Sequence, residues 1–358
     1  MKPYNVEIFT SDFMLVDHTN INEMSYKEDY LSGDENSITV FAMKGVEKQQ
    51  YIRISRGKEE YAGVITEIAY GTDKSKNMQT ISYKPLMELF NTEMLFDTRL
   101  QGQGSFEQFI ASSIGDLYIS NEDELQNITG LKVEVLTETL DWDLHITPAD
   151  KGGYYHIVNL MDSVIIPALQ KYSILLTVRL DVQNKMLVVS IGKVMGNAIK
   201  IESDLPNILK KNILFKQVSA DVNKLIIYDA TDLYQSKKVY YLHSDLGYDT
   251  KNEDRIQPVI CDMRAVSSSE ESSFESLAQA EASNTFSRAA FSNLIELTML
   301  NGDELIKPEE MPFGQMVQVI SDGISYESIL TGREKGKNTK LIFGTVRLEL
   351  TKILRRNS

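Results

Sequence analysis

The sequence predicts a mainly β fold with α+β insertions: two related β-barrel modules, an inserted α+β domain and a small helical insertion. Three observations carry that prediction. Both ends of the chain run in short stretches of alternating apolar and polar residues, the period of a half-buried strand. A segment near residue 71 recurs near residue 332. Between the two copies the apolar spacing lengthens to three and four residues, the period of a helix.

The repeat is read from Gly71-Thr-Asp-Lys-Ser-Lys-Asn77 and Gly332-Arg-Glu-Lys-Gly-Lys-Asn338, which share the Gly, both Lys and the Asn without a gap. Extended from Ile68/Ile329 to Leu89/Leu350, the alignment holds eight identities in 22 positions, Ile81/Ile342 and Glu88/Glu349 among them. We read two copies of one β-rich module. Two like modules in one chain suit a protein that presents a repeated surface to a ring-shaped partner, since three subunits would supply six modules.

Residues 1–98 form the first module. Strands are expected at Tyr4-Asn-Val-Glu-Ile-Phe, Ile38-Thr-Val-Phe-Ala, Tyr51-Ile-Arg-Ile-Ser and Glu60 to Ile68, with a turn at Arg56-Gly57-Lys58. A further strand runs through Ile81, and Leu86 to Phe90 reads as a short helical or irregular piece. Residues 99–200 read as an α+β insertion. Phe106, Phe109, Ile110 and Ile114 lie at helical spacing behind Ser105, an N-cap type, and Leu131 to Leu136 is a strand. A second helix over Asn159 to Lys171 meets Pro167, which would kink or end it. Ser173 to Leu180 and Met186 to Ile191 pair as a hairpin around Val182-Gln-Asn-Lys185.

Residues 201–242 and 297–358 are assigned to the second module, with strands at Ile213, Lys224 to Tyr228 and Val239 to Leu242. Residues 243–296 form a small insertion. Its long helix carries Phe274, Leu277, Ala278, Ala282, Phe286 and Ala289 on one face, behind alternative capping boxes at Ser267–Glu270 and Ser268–Glu271. Asp322-Gly323 between alternating runs is the strongest hairpin signal in the chain. The closing strand, Leu341 to Leu350, leads into a basic stretch, Lys352 to Arg356.

Composition narrows the function. With 358 residues, 42% of them apolar, the chain can bury several cores. No apolar run is long enough to span a bilayer, and Met1-Lys-Pro-Tyr-Asn does not open a secretory signal, so synthesis in a cytoplasm is expected. A single Cys261 forms no internal disulfide and no Cys-based zinc motif, and is expected to be buried as a small apolar side chain. The net charge of −14 argues against sequence-specific nucleic-acid binding.

No catalytic signature surrounds His18, His145, His156 or His243, and no phosphate-binding glycine loop is present. Asp141-Trp-Asp143-Leu-His145 places three polar residues on one face of a strand, a pattern that any half-buried strand also produces. Neither a metal site nor a cofactor is assigned, and no enzyme is read. Exposed aromatics around Trp142, Tyr154, Tyr155, Tyr240 and Tyr241 would instead suit a carbohydrate-binding adhesion module. A cell-wall hydrolase is the least favoured reading.

The order of parts resembles the tail-tip and baseplate hub proteins of bacteriophages, including the tail-associated proteins of siphophages and Listeria-type phage or prophage tail proteins. The residues that carry it are Tyr61-Ala-Gly-Val-Ile-Thr66 with Leu86 to Arg99, then Gly314 to Val319, Ile329-Leu-Thr and Phe343-Gly-Thr-Val-Arg-Leu-Glu-Leu-Thr351. The resemblance implies a homotrimer at the virion tail tip whose two modules form a pseudo-six-fold ring. Such a ring would join the hexameric distal tail protein to three-fold tip structures, beside the tape-measure protein and receptor-binding or fibre proteins, and take part in host attachment and DNA passage. Many relatives continue into a hydrolase or fibre, whereas this sequence ends at Ser358, which puts wall cleavage in doubt. Ring or partner contacts are expected at Gly71, Lys74, Lys76, Asn77, Arg99, Gly332, Lys335, Lys337, Asn338, Gly344 and Arg347.

Overall fold

The computed structural model describes residues 2–31, 33, 35–70, 78–140, 142, 144, 154–194, 196–215, 223–243, 248–253, 261–268, 273–286, 293–302 and 306–345. The chain divides into two compact units, Met1–Phe215 with Asn293–Ser358, and Lys216–Ser292.

In the larger unit the chain opens with strands β1 (Tyr4–Phe9), β2 (Leu15–Ile21), β3 (Tyr26–Asp29), β4 (Asn36–Phe41), β5 (Tyr51–Arg56), β6 (Glu59–Tyr70) and β7 (Met78–Pro85). Six of them form one curved antiparallel sheet in the order β2-β1-β5-β6-β7-β4. Alternation sets its two faces: Val6, Ile8, Ile38, Val40, Ile52, Ile54, Ile65 and Ile81 are buried together, while Ser37, Thr39 and Phe41 point out. Each such aliphatic side chain contributes about 1.5–3 kcal/mol. A 3-10 turn, Leu86–Phe90, closes the module as expected.

The inserted region begins with β8 (Glu93–Asp97) and helix α1 (Phe106–Tyr118), followed by β9 (Leu131–Val135) and β10 (Tyr155–Asn159). Ser105 caps α1 by accepting from the Gln108 N–H at 3.2 Å. Phe106, Ile110 and Ile114 are buried, and Trp142 stacks on Phe106 with ring centroids 4.5 Å apart. The second helix opens as a π turn, Met161–Ile165, that runs directly into α2 (Ile166–Tyr172), with Pro167 in the first turn of α2. Next come β11 (Ile174–Asp181) and β12 (Met186–Lys193), the expected hairpin, with β9 added parallel to β12.

Strands β13 (Ile199–Glu202) and β14 (Ile208–Phe215) lead to the smaller unit, made of β15 (Lys224–Asp229), β16 (Lys237–Leu242), β17 (Tyr248–Asp249), β18 (Cys261–Val266) and α3 (Phe274–Phe286). Here the structure departs from expectation three times. β15 and β16 pair with β17 and β18, not with the second module's sheet, because their buried Leu225, Ile227, Tyr240 and Leu242 receive Ala278, Ala282 and Phe286 of α3. The cap of α3 is Ser273, whose hydroxyl accepts from the Ser276 N–H, while Ser268 bonds the Asp229 carboxylate at 2.5 Å. Cys261 is exposed, since its strand alternates with Cys261 on the outward phase.

Back in the larger unit, β19 (Asn293–Leu300), β20 (Met316–Ser321), β21 (Ile324–Lys335) and β22 (Asn338–Phe343) complete a sheet of order β13-β20-β21-β22-β19-β14. The run β19–β22 reproduces β4–β7 in chain order and in spatial order, β20-β21-β22-β19 against β5-β6-β7-β4. Both second hairpins turn in two residues, Gly57-Lys58 and Asp322-Gly323. Both long strands bulge at one residue, Thr66 opposite Tyr83/Ser82 and Thr331 opposite Phe343/Ile342. Thr66 therefore corresponds to Thr331, whereas the gap-free sequence alignment pairs it with Glu327. The reason is loop length: only Gly336 and Lys337 link β21 to β22, so Gly332 to Lys335 belong to the strand and not to a loop.

Gly344 ends the hairpin at φ 90°, where an added Cβ would lie 1.8 Å from the Asn293 carbonyl oxygen. Gly344→Ala is expected to cost at least about 1–3 kcal/mol in chemical denaturation from backbone strain alone. Gly115→Ala, inside α1 with open space around the new Cβ, should instead stabilise by about 0.5–1 kcal/mol.

Candidate functional site: the junction between the two modules

β3 leaves the first sheet and pairs antiparallel with the far end of β21, Tyr26 opposite Lys335 and Asp29 opposite Gly332. The Tyr30 N–H donates to the Thr331 carbonyl at 2.8 Å. One strand of the first module thus completes the sheet of the second.

Charged side chains lie at the heart of this junction. Lys335, 4% exposed, donates through Nζ to Glu59, itself 7% exposed at the start of β6. Arg56 donates to the same carboxylate at 2.9 Å, and the Tyr4 hydroxyl donates to it at 3.1 Å. Beside them Arg333 donates to the carbonyls of Glu309 and Met311 and approaches Glu28 at 3.4 Å. Its guanidinium stands 5.2 Å from the Tyr61 ring.

Burial pushes the Glu59 carboxyl up, but hydrogen bonds from Lys335 and Arg56 outweigh it and hold the group below its ordinary value of 4.5. Burial also draws the Lys335 ammonium down against the pull of Glu59. Tyr4 and Tyr61 are pushed well up by burial and stay neutral, Tyr4 as a donor to Glu59. The arrangement fixes two sheets to each other.

A cavity of about 870 Å³ opens next to it, lined by Tyr61, Glu28, Arg53, Leu176, Val178 and Phe313 among others. Among the described residues no His, Cys or Ser lines it, and Thr177 supplies a hydroxyl. Its guanidinium groups are engaged, Arg53 with Glu7 at 3.1 Å and Arg179 with Asp181 at 3.0 Å.

Solved structures share this architecture. A tail protein from Neisseria meningitidis superposes with a TM-score of 0.52 and 12% identity, covering 96% of this chain and 96% of its own. A 43 kDa tail protein of a Shewanella oneidensis prophage does so with a TM-score of 0.50 and 13% identity, over 97% and 98%. The chain has a phage tail-protein fold. A prophage tail protein from Listeria monocytogenes aligns at 0.45 with 11% identity, over 99% and 98%. No protein-family model and no curated protein matches the sequence.

Within the tail-protein fold the expected contact residues separate. Gly71, Lys74, Lys76, Asn77 and Arg347 lie outside the described residues, as do Asp141, Asp143 and His145. Lys335 and Gly332 are buried in the junction, so Lys335 spends its charge on Glu59 within the chain. Gly344 is packed against Asn293. Lys337 is exposed in the β21–β22 turn, where its carbonyl accepts from Asn301, and Asn338 opens β22.

Arg99 stands apart at the β8–β10 ribbon, held by Asp97 and flanked by the rings of Tyr154 and Tyr155 at 4.8 and 5.7 Å. Of the suggested sugar-stacking aromatics, Trp142 and Tyr240 are buried, while Tyr154 and Tyr155 are exposed. Among the described residues no group of three His, Cys, Asp or Glu is placed to hold a metal ion.

The sequence reading missed Glu59, Arg56, Glu28 and Arg333. A signal was present: Glu59 shares the inward phase of Tyr61 and Ile65, where a charge has to find a partner. Glu59→Gln or Lys335→Met should each lower stability by about 3–5 kcal/mol, and joining Lys335→Met with Glu59→Leu should recover only part of that loss, since Arg56 then lacks its carboxylate. Because the folded-state pKa of Glu59 lies below its unfolded value, its contribution is complete above about 4.5 and is lost as pH falls through the folded value. The stability difference between the parent and Glu59→Gln, measured from pH 7 downwards, should shrink in that acid range.

Proposed function

We propose that the chain is a structural subunit of a phage or prophage tail tip, three copies of which form a ring with six similar lobes. The observation that carries this reading is the four-stranded unit that occurs twice with one strand order and one bulge position. A trimer built on it would meet a six-fold tail tube on one side and three-fold tip structures on the other. Its partners are then the distal tail protein, the tape-measure protein and receptor-binding or fibre proteins, and its work is done by interfaces during host attachment and DNA passage. The tail-protein fold of the Neisseria and Shewanella proteins supports the reading over nearly the whole chain.

Mass measurement across a concentration series, with electron-microscope images of the largest species, tests it. A trimer with six lobes around a pore is expected, formed either by the chain alone or on addition of the distal tail protein. A species that remains monomeric in both conditions counts against the ring.

Tyr154, Tyr155 and Arg99 favour a second reading, a glycan platform at the tail tip, because two exposed rings flank a guanidinium already fixed by Asp97. Binding of cell-wall polysaccharide that drops at least tenfold in Tyr155→Ala and Arg99→Ala, with folding intact, is the expected outcome. Equal binding by parent and variants would remove this reading.

A further inference from the structure

The repeat assigns a counterpart to each half of the buried ion pair. Aligned on the bulges and on the two-residue turns, Glu59 at the start of β6 corresponds to Ile324 at the start of β21, and Lys335 at the end of β21 corresponds to Tyr70 at the end of β6. Both counterparts sit on the core-facing phase of their strands: Ile324 is opposite buried Ser321, and Tyr70 is opposite buried Gln79. Both are large and apolar, as that phase requires. Yet Ile324 is 56% exposed and Tyr70 is 64% exposed, whereas Glu59 and Lys335 cover each other.

The backbone repeats the pattern. Beyond Thr331 the edge of β21 is taken by β3, while beyond Ile65 the matching edge of β6 has no strand beside it among the described residues.

We propose that Tyr70 and the open end of β6 receive Ile324 of a second copy of this chain, so that the contact between copies repeats the contact between modules. The proposal rests on the ring reading above and names its interface. Within one chain the first module's β6 start meets the second module's β21 end through an ion pair. Between chains the second module's β21 start meets the next copy's β6 end through apolar contact. The two junctions are alike in position and unlike in chemistry, which gives each a single correct partner. Ile324 set against Lys335, or Tyr70 against Glu59, would strand a charge on an apolar side chain.

The full chain tests this directly. Tyr70→Glu and Ile324→Glu should each weaken self-association at least tenfold by solution mass without lowering the melting temperature, both positions being exposed. The double variant Tyr70→Lys, Ile324→Glu, which rebuilds the ion pair of the internal junction, should restore it. Assembly that survives both single substitutions overturns the proposed interface and leaves the ring reading in place. Loss of assembly in the single variants without rescue in the double variant overturns the matched pairing. A parent chain that stays monomeric at every soluble concentration, with and without the distal tail protein, and that under both conditions forms no intermolecular cross-link between Tyr70→Cys and Ile324→Cys in a Cys261→Ser background, overturns both.

Discussion

The ion pair between Lys335 and Glu59 is the interaction on which the arrangement of the two modules depends. Taking either charge out of water costs several kcal/mol, and their attraction repays that only when geometry and extra hydrogen bonds are good. Arg56 and the Tyr4 hydroxyl supply those bonds to Glu59. Each member is set by a different local rule. Glu59 is placed by the Gly57-Lys58 turn, Tyr4 and Arg56 by the pairing of β1, β5 and β6, and Lys335 by the β21 bulge and the short turn after it. A slip of one residue in any of these strands would turn its side chain to the opposite face. The pair therefore acts as a check on register across both sheets, with β3 as the backbone link between them.

That junction also breaks the equivalence of the two modules. Their four-stranded units match in order, direction and bulge, but the positions that touch within the chain, Glu59 and Lys335, are charged, whereas their counterparts, Ile324 and Tyr70, are apolar and exposed. A duplicated module with identical contact chemistry at both ends could pair with itself in several ways, including open filaments. Unlike chemistry at the two ends restricts which end meets which. For a subunit proposed to sit in a closed ring, that restriction has a purpose.

Much of the fold was legible in the sequence because alternation and turn chemistry are local. The Asp322-Gly323 hairpin, the Ser105 cap and the β11–β12 hairpin follow from a few neighbouring residues. What was not legible depended on pairing at a distance. Nothing near Lys224 says that its strand joins β18 and not the second module, and the gap-free repeat hid a change in loop length between β6–β7 and β21–β22. That shift moved Lys335 from an expected surface loop to a buried strand end. Of the expected contact residues, Lys335 and Gly332 lie together in the junction within the chain, while Arg99 is exposed between two tyrosines.

The same distinction explains how a chain can share a fold at 12–13% identity with tail proteins that cover nearly its whole length. A curved sheet asks most positions only for the right phase: Ile, Val, Tyr or Thr all satisfy an inward site on β4 or β7, and volume-conserving exchanges cost little. Individual demands fall on few positions. At Gly63 a Cβ would lie 2.3 Å from the Lys84 carbonyl oxygen, at Gly344 it would meet Asn293, and the Glu59–Lys335 pair needs both members. Pattern survives where identity does not, and because so few positions are individually constrained, little of the shared architecture is written as recurring residues.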